Sequence, residues 1–172
     1  MDYTLSVLVE NHPGVLAKIS GLLSGRGFNI RSIAAGETED PTITRITMVV
    51  AGDERVIDQV KKQLGRLVDV IKITDLTERP SVDRELALVK VSSSVSHRAE
   101  VFQIVDVFRA KIVDIAHKSL TIEITGVTEK VEALIAMLKP FGITEIVRTG
   151  KISIARGGVS THRGAGRRIK EG

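Results

Sequence analysis

An apolar strand stops at Glu10, four residues (Asn11-His12-Pro13-Gly14) turn the chain, and an amphipathic stretch follows at once. That junction constrains the fold more than any other. A proline at the first position of a helix forfeits no hydrogen bond, because the N–H it lacks has no intrahelical partner there. Gly14 beside it lets a ligand approach the backbone with no Cβ in the way. The free N–H groups and the dipole of a helix start attract an anion such as a carboxylate. Val15, Leu16, Ile19, Leu22 and Leu23 form one apolar stripe, so a helix is expected over residues 13–24. Gly25 and Gly27 end it, and a second strand is expected over residues 28–35. From the residues alone, two readings stand. One is a well-capped strand–turn–helix–strand unit with no ligand. The other is an anion-binding turn.

The rest of the first half continues in the same manner. A polar turn at residues 36–41 leads to a strand over about 42–50, and Asp53 is placed to cap a second helix carrying Val56, Ile57, Val60 and Leu64 on one face. Residues 67–73 read as a fourth strand. The order βαββαβ in one compact unit is the ferredoxin-like arrangement, two helices on one face of a four-stranded antiparallel sheet. After a polar stretch containing Pro80 the order repeats. The elements are a strand at 86–91, a helix capped by Ser96, a hairpin around His117-Lys118-Ser119, a helix capped by Thr128, and a strand at 143–147. The expected fold class is α+β, two tandem ferredoxin-like units. The expected organisation is residues 1–76, a linker at 77–84, a second domain at 85–158 and a basic, glycine-rich tail at 159–172.

Composition excludes several classes of function. Only 3% of residues are aromatic and there is no Trp, so there is no platform for stacking single-stranded bases. No Cys is present, which removes disulfides and thiolate metal sites. No signal peptide and no run of about 20 apolar residues is visible, and the expected location is the cytoplasm, away from membranes. Of the net charge of +4, residues 148–172 carry +6 and the remainder −2, so the basic character is terminal. Such a tail has two readings, contact with nucleic acid, or else a solvated, disordered end or an arm that docks on a partner protein. The second is expected here.

Catalytic signatures are missing. His12, His97, His117 and His162 stand far apart, and none has metal-ligand spacing to another. His12, inside the turn, is expected to contribute its backbone N–H or carbonyl. There is no G-x-S-x-G elbow and no Walker motif, and Gly25-Arg26-Gly27 precedes a strand where a dinucleotide fingerprint precedes a helix. Residues 153–158, SIARGG, are expected to be an edge strand running into the tail.

The stretch VENHPGVLAKISGLLSGRGFNIRSI resembles the first half of an ACT domain, the small module that binds amino acids in metabolic regulators. Within that family the chain resembles the regulatory (small) subunits of acetolactate synthase, which have a strand, N-x-x-G-[VA]-L, a helix and a G-[FY]-N-I-x-S strand. Asn11, Gly14, Val15, Leu16, Gly27, Phe28, Asn29, Ile30 and Ser32 occupy those places. The likeness continues through Asp40-Pro41, Thr44-Arg45-Ile46-Thr47 and Leu67-Val68-Asp69-Val70, then RELALVKV at 84–91 and EIVRTG at 145–150. It covers residues 3–157.

The resemblance implies a non-catalytic subunit that activates a larger chain and confers feedback inhibition by valine or another branched-chain amino acid. Thiamine diphosphate, Mg and FAD are then expected on the catalytic subunit and none on this chain. Effector contacts implied by the resemblance are Asn11, His12, Pro13, Gly14, Val15 and Leu16 from one copy and Asn29 and Ile30 from a second, in a homodimer formed through the first domain. For Asn29 taken alone, ordinary strand-start chemistry is an equal reading. The second half has Ser92-Ser93-Ser94-Val95 in place of the turn, and no equivalent site is expected there. A free-standing amino-acid sensor acting on another enzyme or regulator is the rival expectation.

Overall fold

The computed structural model describes residues 1–94 and 96–157. The chain divides into two compact units. One is Met1–Val82 together with the C-terminal segment from Ile152, and the other is Asp83–Lys151. The expected tail lies outside the described residues.

The first unit runs β1 (Asp2–Glu10), α1 (Val15–Ser24), β2 (Asn29–Glu37), β3 (Ile43–Ala51), α2 (Glu54–Leu64) and β4 (Val70–Asp75). Its antiparallel sheet has the order β2-β3-β1-β4, so β2 is an edge. Alternate residues Leu5, Val7 and Val9 of β1 and Ile46, Met48 and Val50 of β3 meet Val15, Ile19 and Leu23 of α1 and Ile57, Val60 and Leu64 of α2 in one buried cluster. Asp53 caps α2 as expected, its carboxylate accepting from Val56 N–H at 2.9 Å. The stop after α1 is a Schellman turn, in which Phe28 N–H donates to Leu23 O and Gly27 N–H to Ser24 O. Gly27 supplies the left-handed residue, φ 69°.

Three local expectations change. The first helix opens at Val15, because Gly14 takes φ 89°, a conformation no α-helix contains. Leu16 is 47% exposed and drops out of the buried stripe. The fourth strand starts at Val70, since residues 64–70 are closed by successive turn bonds from Leu67 N–H to Leu64 O and from Val70 N–H to Leu67 O.

The second unit contains most of β5 (Ser81–Ser92), then α3 (Arg98–Val107), β6 (Lys111–Ile115), β7 (Ser119–Gly126), α4 (Thr128–Leu138), a 3₁₀ turn at Lys139–Phe141 and β8 (Ile143–Arg148). The sheet order β6-β7-β5-β8 repeats that of the first unit, which makes the tandem ferredoxin-like architecture explicit. Both serine and threonine caps fail here. Ser96 hydroxyl meets Ser94 Oγ instead, at 2.9 Å, and His97 precedes the helix. Thr128 is already inside α4 and its hydroxyl donates to the buried Glu85. Arg148, the last residue of β8, bonds Glu85 of β5 and Glu132 of α4, and these bonds hold its guanidinium proton well above the ordinary arginine range.

β5 starts inside the stretch expected as a linker, and its pairing partner explains why. The last strand, β9 (Ile152–Ala155), pairs with β5, and beyond it Arg156 N–H donates to Pro80 O at 2.8 Å. β9 also lies against β1 and β3. Thr4, Ser6 and Leu8 of β1 and Thr47 and Val49 of β3, which point away from the helices, are all buried. Small residues make this close approach feasible: Ser153 is buried, while Ile152 and Ile154 face outward. Within the described residues no helix is long and apolar enough to cross a membrane.

Candidate functional site

The turn after β1 is tied down from several directions. Asn11 N–H donates to Thr42 O at 2.7 Å. Its side-chain NH₂ donates to Pro41 O at 2.8 Å and to Glu37 Oε1 at 3.2 Å. Both amide donors of Asn11 are therefore spent on the β2–β3 connection, and its side-chain oxygen is left to accept from a cation. Gly14 is the pivot. An ideal Cβ built on it meets nothing within 4 Å, so space is not what demands glycine there; the positive φ is.

The helix that follows is short of partners at its start. Val15 N–H reaches His12 O at a long 3.5 Å, and Lys18 N–H bonds Gly14 O. The N–H groups of Leu16 and Ala17 find no acceptor among the described residues. With Pro13 set two residues before the helix, these open donors belong to residues after Gly14. Two aligned N–H groups at a helix start suit one carboxylate.

Asp69, in the bend before β4, was not among the expected contacts. Its side chain is only 8% exposed, yet it holds Lys18 Nζ at 2.9 Å and His12 Nε2 at 2.8 Å. The hydrogen bond and charge of Lys18, with help from His12, hold this carboxyl below the usual carboxylate range against the opposing effect of burial. His12 also approaches Glu10 at 3.5 Å, and its other ring nitrogen lies 3.3 Å from Pro13 O. The ring of His12 is thus engaged, as well as its carbonyl. Glu10, His12 and Asp69 offer ligand atoms within 4.8 Å of one another. With the Lys18 ammonium already on the same carboxylate, that cluster has the charge balance of an ion-pair network rather than of a cation site.

Asn29 and Ile30 are elsewhere. Glu10 pairs with Ile43 and Asn29 with Ala51, eight residues along β3, or about 27 Å at the usual strand rise. One chain therefore brings together Asn11, His12, Pro13, Gly14 and Leu16 at one end of the sheet and leaves Asn29 and Ile30 at the other. Val15 belongs to the core at 4% exposure, which removes it as an open lining residue.

Comparison with known proteins bears directly on this geometry. Residues 5–72 match the family model described as "AHAS small subunit-like ACT domain", and residues 84–157 match "Small subunit of acetolactate synthase". The acetolactate synthase small subunit of Mycolicibacterium smegmatis is 50% identical over 155 residues, covering 90% of this chain and 91% of that one. This chain belongs to the acetolactate synthase small-subunit family. A probable member from Archaeoglobus fulgidus is 46% identical across 91% of this chain and 98% of its own length. The crystal structure of the Thermotoga maritima acetolactate synthase small subunit superposes with a TM-score of 0.83 at 42% identity, covering 92% of this chain and 99% of that chain. The small-subunit architecture is thus an ACT unit followed by a second ferredoxin-like unit, and the Asn11–Gly14 turn lies in the ACT unit.

Asp69 escaped sequence reasoning because a lone Asp before a strand looks like ordinary turn chemistry. The available signal was its place inside Leu67-Val68-Asp69-Val70, the stretch of likeness to small subunits in which it is the charged residue.

Proposed function

We propose that this chain is the non-catalytic regulatory subunit of acetolactate synthase. It activates a thiamine-diphosphate-dependent large subunit, which also holds Mg and FAD, and it transmits feedback inhibition by valine. The reaction joins two pyruvates to acetolactate, and its cofactor chemistry belongs to the large chain. The observation that carries this reading, beyond family membership, is the split of the candidate contacts between the two ends of one sheet.

β2 is an open edge, and an edge of this length calls for pairing or cover. Two copies joined antiparallel along β2 about a two-fold axis at Ile33, its middle residue, set Asn29 of one opposite Glu37 of the other. Glu37 is the residue that already accepts from Asn11. The two-fold therefore assembles two complete sites. In each, the N–H groups of Leu16 and Ala17 take the carboxylate of the amino acid, while the side-chain oxygens of Asn11 and of Asn29 from the second copy accept from its ammonium. Exposed Leu16 and half-buried Ile30 line the place of a small branched side chain.

The test is reconstitution. The purified chain with thiamine diphosphate and Mg²⁺ makes no acetolactate. Adding it to the matching large subunit raises turnover and introduces inhibition by valine. Synthase activity of the chain alone, or a large subunit indifferent to it, overturns the reading.

A further inference from the structure

We infer that Asp69 is the positioning residue of the effector turn, acting through His12 and Lys18 without touching the amino acid itself. The inference rests on the reading that the effector binds at residues 11–17. Three strands of observation support it. Asp69 is nearly buried and makes two charge-assisted contacts, one to each side of Gly14: His12 in the turn and Lys18 one turn into α1. Its own backbone oxygen accepts from Glu10 N–H at 2.9 Å, so the same residue also fixes the end of β1. Between those anchors lies Gly14 at φ 89°, the most freely hinged residue type, at the point where the two open N–H groups must be aimed.

The physical consequence is preorganisation. A turn pivoting on glycine samples many directions, and a ligand must then meet the cost of ordering it. Clamping both sides of the pivot to one immobile carboxylate removes that freedom before the ligand arrives. Lys18 has a further effect. Lys18 is the fourth residue of α1, so its ammonium adds positive charge at the end of the helix that receives a carboxylate, and the bond to Asp69 fixes where that charge sits. The facing charged groups are Glu10 from β1, Asp69 from the bend before β4 and Lys18 from α1.

Calorimetric titration of the full-length protein with L-valine, L-leucine and L-isoleucine tests this. Wild type gives the reference dissociation constant, and Gly14→Asp marks loss of the site. Asp69→Asn is expected to weaken binding about tenfold, as loss of a charged hydrogen-bond partner does. His12→Gln weakens it in the same direction, and the double variant is no worse than the poorer single one, because the two act through one clamp. Lys18→Met also weakens binding, and Lys18→Arg restores it. A merely structural Asp69 lowers the melting temperature yet leaves the dissociation constant, measured well below melting, at its wild-type value; that result overturns the inference while leaving the effector site in place. If Asp69→Asn does not fold, the exposed His12→Gln and Lys18→Met variants decide, and unchanged binding by both overturns it equally. Wild-type protein that binds none of the three amino acids defeats the effector reading itself, and the inference with it.

Discussion

Asn11 and Asn29 stand at opposite ends of one sheet, about 30 Å apart along β3, yet Asn11 is hydrogen-bonded to Glu37, the last residue of the strand that Asn29 begins. Reversing a second copy of β2 against the first closes that distance. The proposed site is therefore a property of a pair of chains.

The pairing can be trapped chemically. The chain has no native cysteine, so Asn29→Cys combined with Glu37→Cys introduces the only thiols. Mild oxidation is expected to give a covalent dimer on a non-reducing gel, because the two positions face each other across the two-fold. A sedimentation run that finds a dimer, with no cross-linked product, places the dimer contact on another surface.

Inhibition should be separable from activation at Gly14. Gly14→Asp puts a carboxylate beside the N–H groups meant for the effector's own and is expected to abolish valine inhibition of the reconstituted enzyme. Gly14→Asn has almost the same volume, tolerates a positive φ comparatively well and carries no charge, so it retains more inhibition. Asn29→Ala, lacking one acceptor for the ammonium, loses about 1.5–3 kcal/mol, comparable with a whole allosteric coupling of about 1–3 kcal/mol. Valine titrations of each, with circular dichroism as a folding control, make the comparison. Equal inhibition by Asp and Asn variants removes charge from the explanation.

The first unit should be acid-labile in a defined direction. Asp69 is held below the ordinary 3.8 chiefly by Lys18. For Asp75 burial acts upward, but the Thr77 hydroxyl and amide and the Lys61 ammonium outweigh it and the carboxyl is again lowered from 3.8. A carboxyl depressed in the folded state stabilises above its unfolded value, and that contribution disappears as pH falls through the folded one. The urea midpoint is thus expected to hold between about pH 7 and 5 and to fall below about pH 4, with a flatter profile for Asp69→Asn/Asp75→Asn.

In the second unit, Arg148→Met strands Glu85, which is 4% exposed, with Thr128 as the remaining hydrogen-bond partner of its carboxylate among the described residues. Removing one member of a fully buried ion pair costs about 3–5 kcal/mol, and the 33% exposure of the Arg148 side chain sets that as the upper bound here. Urea denaturation of the variant checks this, and a loss under about 1 kcal/mol indicates that solvent reaches Glu85 freely.

How much of this was legible in the residues follows physical lines. Alternation in β1 and β3, the Asp53 cap and the Gly27 stop are local signals, and the structure has each where the pattern places it. Pro13 misled by two residues: it is a good opener, but Gly14 after it adopts a left-handed turn, so the helix waits for Val15. The start of β5 at Ser81 was hidden because its partner β9 lies some 70 residues later, and no window of sequence carries that pairing. The same holds for Asp69, whose meaning comes from His12 and Lys18, both more than 50 residues upstream. Ser96 and Thr128 had the right chemistry for caps and spent their hydroxyls on Ser94 and Glu85.

The return of β9 to the first unit has a consequence for biosynthesis. In sequence, the second unit is an insertion within the first: residues 83–151 separate the ACT sheet from the strand that covers its back face. On the ribosome the ACT unit is begun first and finished last, after the whole of the other unit has been made. Until Ile152–Ala155 is made, the sheet face that carries Thr4, Ser6 and Leu8 lacks the strand that lies against β1 and β3. A nascent chain stalled before that point therefore carries an ACT sheet that lacks the last strand laid against it, so this unit reaches its final packing only when translation has passed the second unit.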